Sequence, residues 1–105
     1  METNSTASNN TALGWGSLLA NTTGTQNTAI GRSALAANTT ANYNTALGYF
    51  AGADITTGDQ NTAIGRECLS TCSTGDSNTA LGYFAGYQIT TGSNNVAIGS
   101  GAFRS

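Results

Sequence analysis

An all-β parallel solenoid, a β-roll of about six coils of 17 residues, is the fold this sequence predicts. Three observations predict it. Asn-Thr-Ala-Leu/Ile-Gly recurs at strict spacing from Asn10, Asn27, Asn44, Asn61 and Asn78 to Asn95, where the copy reads Asn-Val-Ala-Ile-Gly. A rigid short period means one structural unit stacked on itself. The composition is Asn, Thr, Ser, Gly and Ala, with 38% hydrophobic residues, 8% charged residues and no proline. That mix suits backbone ladders and stacked small side chains, and it lacks the charge and proline of a disordered chain. Finally, Gly52 and Gly86 interrupt the stretch that Ser33-Ala34-Leu35-Ala36-Ala37 would offer to a helix, so positions 7 to 11 of the repeat are allowed one helical turn at most.

The repeat assigns each element in turn, with the first Asn of each copy as position 1. The Asn-Thr-Ala segment, ending in the Gly of position 5, reads as a short strand. Its alternation puts Thr/Val and Leu/Ile on one side and Asn, Ala and Gly on the other. Leu13, Ile30, Leu47, Ile64, Leu81 and Ile98 are the predicted core. The column Asn10, Asn27, Asn44, Asn61, Asn78 and Asn95 is predicted to form a structural ladder of side-chain hydrogen bonds. Positions 8 and 9 form a second apolar patch, and Phe50 and Phe84 at position 7 are expected to supply bulk where position 9 is Gly52 or Gly86. Positions 12 to 15, such as Ile55-Thr56-Thr57-Gly58, form a corner in which glycine is expected to provide a positive φ.

A pair of repeats is the larger duplicated unit, because Tyr49 and Tyr83 alternate at position 6 with Arg32 and Arg66. Stacked coils would place aromatic and guanidinium groups in one column, against the plainer reading of a mixed solvated face.

The chain reads as one repetitive domain, residues 1–105, with a partial repeat over residues 1–9. The period runs to both ends without a capping sequence, which points either to a piece of a longer fibre or to head-to-tail stacking of subunits. Thin coils bury little apolar area, so a homo-oligomer is expected, a trimer first, intertwined or packed side by side, with end-to-end stacking able to coexist.

The sixth copy, Asn94-Asn95-Val96-Ala97-Ile98-Gly99, resembles the Asn-Ser-Val-Ala-Ile-Gly repeat of trimeric autotransporter adhesin heads. The other copies also resemble Asn-Thr-Ala-Ile-Gly repeats of phage and giant-virus tail or surface fibres. The adhesin resemblance implies a left-handed parallel β-roll, three chains side by side with the apolar positions buried, and attachment to surfaces or matrix. This chain differs in its longer coil and in carrying mostly Thr at position 2.

The chemistry is sparse. The net charge is −2 with three arginines and no basic patch, which argues against nucleic acid. No apolar run approaches the roughly 20 residues that span a bilayer, so no membrane insertion is expected. No histidine occurs, no nucleophile has a partnered base and no phosphate-binding glycine loop is present. No catalytic, cofactor-binding or metal-ligating set is therefore predicted, and the chain is not expected to be an enzyme. Asp59 and Asp76 at position 16 read as exposed turn residues rather than a cation site. Cys68 and Cys72 are either buried free thiols or a disulfide, within the coil or between chains. Asn4, Asn9, Asn21 and Asn38 open Asn-X-Thr sequences that double as turns.

The expected function is a self-assembling structural fibre module, with adhesion as an added role, on a viral, phage or bacterial surface and so extracellular. Its partners would be copies of itself and a surface glycan or receptor. The competing reading is a monomeric binding module, for ice through the Thr columns at positions 13 and 14 or for carbohydrate through Trp15, Tyr49 and Tyr83.

Overall fold

A computed structural model describes residues 7–104, so the Met1–Thr6 part of the first partial repeat lies outside the described residues. Six three-residue strands follow one another: β1 (Thr11–Leu13), β2 (Thr28–Ile30), β3 (Thr45–Leu47), β4 (Thr62–Ile64), β5 (Thr79–Leu81) and β6 (Val96–Ile98). They form one parallel sheet in sequence order. Each residue faces its counterpart one repeat away, as in Thr45↔Thr62, Ala46↔Ala63 and Leu47↔Ile64. The chain is a parallel β-solenoid of five complete 17-residue turns between the first and last strand, elongated to 37 × 23 × 16 Å.

The strand is short because its backbone turns sharply at position 5. Gly14, Gly31, Gly48, Gly65, Gly82 and Gly99 all hold φ between 115° and 133°. Side-chain-bearing residues do not settle there. A Cβ on Gly48 would also lie 2.7 Å from the Gly65 carbonyl oxygen of the next coil. Conformation and coil spacing therefore both require glycine at this position.

Positions 6 to 12 form an arch with no helical turn. Left-handed φ recurs at positions 7 and 9, as at Ser33 and Leu35. The N–H groups alternate between two kinds of partner. Those of Ala34 and Ala36 close turns onto Gly31 and Ser33 of the same coil. Those of Ser33, Leu35 and Ala37 reach the neighbouring coils at Trp15, Ala51 and Ala53. A helix would use all its donors within one coil and leave nothing to join the next. The corner glycines differ from expectation as well. Gly24, Gly58, Gly75 and Gly92 lack a positive φ, which belongs instead to position 17, at Gln26, Tyr43, Gln60 and Ser77. Glycine or Ala41 stands at position 15 because the next coil passes close behind it.

The predicted core is overturned. Leu13 and Ile98 are 66% and 65% exposed, Leu47 and Leu81 are 43% and 46% exposed, and Ile30 and Ile64 are half-buried. The interior belongs to the opposite strand side, where Ala29, Ala46, Ala63, Ala80 and Ala97 point inward. The larger inward groups come from the arch: Leu18, Leu35 and Leu69 at position 9, and Ile55 and Ile89 at position 12. These two sites share one volume. Where position 9 is Gly52 or Gly86, position 12 is isoleucine; a Cβ on Gly52 would meet Ile55 Cδ1 and Leu35 Cδ2, each at 3.0 Å. Phe50 and Phe84 do not supply the missing bulk. They are half-buried and pack against the neighbouring Tyr49 and Tyr83 at steep ring angles of 60° and 81°, with centroids 4.6 Å apart in each pair. With the lumen filled by the arch, the strand has room for alanine only, and Leu/Ile is turned outward.

Gly48→Ala is expected to lower stability by more than about 2 kcal/mol, from strain and intercoil overlap together. Thermal denaturation followed by circular dichroism reads this directly, and an unchanged midpoint would mean that coil spacing is not held at position 5.

Candidate functional site

Two kinds of surface are built by the stack, one inside the coil and one outside. Inside, the six position-1 asparagines stand in register. Asn44 is representative. Its N–H donates to Asn27 Oδ1 (2.9 Å), its Nδ2 donates to the Gly58 carbonyl across its own coil (2.8 Å), and its Oδ1 accepts the Asn61 N–H (2.8 Å). The same pattern links Asn10 to Asn27 (2.9 Å), Asn61 to Asn78 (2.9 Å) and Asn78 to Asn95 (3.0 Å). Among the described residues no buried side-chain nitrogen or oxygen lacks a hydrogen-bond partner. Asn21 and Asn38 join this interior, with Asn38 Nδ2 donating to Asn21 Oδ1 at 2.8 Å. Both are fully buried, so their Asn-X-Thr sequences serve the corner rather than present an acceptor for glycosylation. Asn9 is exposed, and Asn4 lies outside the described residues.

A second ladder runs along position 16. The N–H groups of Thr25, Asn42 and Asp59 donate to the side-chain oxygens of Asn42, Asp59 and Asp76 (2.8, 2.7 and 2.8 Å), and that of Asp76 to Ser93 Oγ (2.9 Å). Asp59 and Asp76 thus accept main-chain hydrogens from the coil before them. A visible signal existed in the sequence: Thr, Asn, Asp, Asp and Ser share only a short side-chain oxygen. Among the described residues no three His, Cys, Asp or Glu side chains gather to hold a metal ion.

Cys68 and Cys72 are free, buried thiols and not a disulfide. Cys68 takes the place alanine holds at position 8, and Cys72 occupies the interior position-12 site, its Sγ 3.8 Å from the Gly75 carbonyl and from Asn78 Nδ2. Burial pushes the Cys68 thiol up from 9.0 to about 11 and raises Cys72 as well. Such groups are poor nucleophiles at neutral pH.

Outside, the strand face carries two parallel columns. One holds Thr11, Thr28, Thr45, Thr62, Thr79 and Val96; the other holds Leu13, Ile30, Leu47, Ile64, Leu81 and Ile98. Beyond the position-5 bend stands a third column: Trp15, Arg32, Tyr49, Arg66 and Tyr83. Arg32 Cζ lies 5.1 Å from the Trp15 ring centre and 6.0 Å from that of Tyr49. Arg66 Cζ lies 5.3 Å from Tyr49 and 5.7 Å from Tyr83. The corner threonines divide between two environments. At position 13 the hydroxyls of Thr22, Thr39 and Thr56 donate to carbonyls of the next coil, at 3.1, 3.3 and 3.1 Å. At position 14, Thr23, Thr40, Thr57, Thr74 and Thr91 are exposed, and Thr6 lies outside the described residues.

No protein-family model, curated protein or solved structure matches this chain.

Asn61→Ala is expected to lower stability by about 2–4 kcal/mol, because it strands the Asn78 N–H in the interior and leaves the Gly75 carbonyl only its long contact from Cys72 Sγ. Denaturant titration checks this, and a loss below about 1 kcal/mol, the net value of one hydrogen bond, would demote the ladder. Both thiols are expected to resist Ellman's reagent at about pH 8 until the chain is unfolded in guanidinium. The Cys68 pKa is raised on folding, so its effect on stability is nil below pH 9.0 and grows unfavourable as pH rises toward about 11. Equilibrium denaturant midpoints measured at a series of pH values across that window provide the check.

Proposed function

We propose that this chain is a structural, self-assembling fibre module whose strand face packs against copies of itself, first as a homotrimer. The observation that carries the reading is the exposed Leu/Ile column. The lumen is already filled, and a rigid sheet cannot fold its outer side chains inward. A continuous apolar stripe on a small protein marks an interaction surface. The stripe repeats one rung at a time, so a like stripe on another copy would match it along its whole length. Three such faces meeting about a common axis would bury Leu13, Leu47, Leu81 and Ile98 together. The likeness of Asn-Val-Ala-Ile-Gly to adhesin-head repeats supports the same arrangement.

End-to-end stacking of copies fits the same reading, since every coil offers the next one the same ladders in the same register. A fibre of this kind belongs on a viral, phage or bacterial surface, outside the cell, and adhesion would be exercised by the columns that assembly leaves uncovered.

The flat strand face also favours one competing reading, a monomer that binds ice. Thr11, Thr45 and Thr79 are exposed there on alternate rungs, with Thr28 and Thr62 half-buried between them, beside Leu/Ile. That is a more regular outward array than the position-13 threonines, whose hydroxyls are engaged within the stack. A thermal-hysteresis measurement on the wild-type chain discriminates, because only the competing reading expects ice-growth inhibition by a monomer.

Sedimentation velocity and electron microscopy are expected to find oligomers of three chains. Leu47→Asp combined with Leu81→Asp is expected to return the protein to monomers with its circular dichroism unchanged, since these charges stay solvated in the free chain but would be buried unpaired in the assembly. A wild-type protein that sediments as a single stable monomer would defeat the proposal.

A further inference from the structure

We infer that the position-6 column is a track for a linear acidic polysaccharide in which neutral sugars alternate with sugars bearing one carboxylate. This goes beyond assembly and does not rest on it, because the column stands past the position-5 bend and flanks the Leu/Ile stripe.

The argument starts from spacing. Coils advance about 4.8 Å each along the stack, close to the advance of one pyranose ring in an extended, equatorially linked glycan. Trp15, Arg32, Tyr49, Arg66 and Tyr83 therefore present one group per sugar. Trp15 is 71% exposed, and Tyr49 and Tyr83 are exposed as well. Aromatic rings give the C–H groups of a neutral sugar apolar contact, more fully at Trp15 and Tyr83, each with one arginine over it, than at Tyr49, which lies between Arg32 and Arg66. A guanidinium pairs with a carboxylate through a planar fork of N–H donors and can stack by its face while doing so. Each arginine lies near two rings, at 5.1 and 6.0 Å for Arg32 and at 5.3 and 5.7 Å for Arg66, so the guanidinium groups are partly positioned before any ligand arrives. Among the described residues Arg32 has no carboxylate partner, while Arg66 Nε lies 3.3 Å from Glu67.

The alternation gives selectivity. A glycan acidic at every ring would set carboxylates beside Trp15 and Tyr49, which offer them no fork of N–H donors. A wholly neutral glycan would leave both guanidinium groups without an anion.

Trp15 is the single tryptophan of the chain, so its fluorescence reports occupancy. The probes are hyaluronan oligosaccharides, which are acidic at alternate sugars; polygalacturonate, acidic at every sugar; and chitin oligosaccharides, which are neutral. Hyaluronan is expected to change Trp15 emission and to bind at least about tenfold more tightly than either control. Arg32→Gln with Arg66→Gln is expected to weaken that binding by about tenfold or more, the scale of one lost charge-assisted contact. Trp15→Phe should retain binding, read by calorimetry. Sedimentation of the same samples separates this test from that of assembly. Equal binding of the three glycans, no binding of hyaluronan, or binding indifferent to the arginine replacements would overturn the inference. So would a change in sedimentation on arginine replacement with no response to hyaluronan, which would assign the column to contacts between copies.

Discussion

The position-1 asparagine ties the structure together in two directions at once. Its Nδ2 spans its own coil to the corner carbonyl, and its Oδ1 accepts the main-chain hydrogen of the next coil. The first bond sets the cross-section and the second sets the step between coils. Few side chains can do both. Aspartate lacks the donor, glutamine is a methylene too long for the same carbonyl, and serine cannot reach across the lumen. Because every coil is fixed by the same pair of bonds, every other column inherits the same register. The position-16 ladder repeats the device outside the lumen with Asn42, Asp59 and Asp76.

A coil this narrow reverses the usual placement of large apolar residues. The arch sends Leu or Ile inward from positions 9 and 12, and only one of the two sites can be large in most copies. Leu35 sits beside Asn38 and Gly52 beside Ile55, so the summed volume is held while the identities change. What remains opposite the arch is a slot for a methyl group, and alanine fills it. The branched residue at position 4 is displaced to the outer surface by lack of space. An apolar surface that folding normally buries is here left on the outside of the coil.

Rigid repetition also explains why the outer columns matter more than any single residue in them. No conventional pocket is required when a ligand or a partner repeats at the same interval as the coils. In the proposed assembly the Leu/Ile stripe meets another copy of the chain, which repeats identically. The Trp/Arg/Tyr column suits a polymer whose character alternates every second unit, as the column does. The paired repeats supply that alternation: copies 3 and 5 carry Tyr49 and Tyr83, copies 2 and 4 carry Arg32 and Arg66.

The strict spacing of Asn-Thr-Ala-Leu/Ile-Gly was enough to specify a parallel stack, its register, a short strand within that motif and the column of asparagines, because each follows from like residues recurring at one interval. The same pattern told the two faces of the strand apart but not which of them lies inside. That choice depends on how much lumen the arch leaves, and the arch runs through non-local contacts and alternating left-handed residues, such as Ser33 and Leu35, that no propensity marks. Cys68 and Cys72 illustrate the same division: their spacing allowed a disulfide, whereas the interior sites they occupy at positions 8 and 12 leave them as separate buried thiols. Sequence alone determined what stacks upon what; the tertiary structure decided which side faces water, because inside and outside are set by the volume left over once distant parts of each coil have packed.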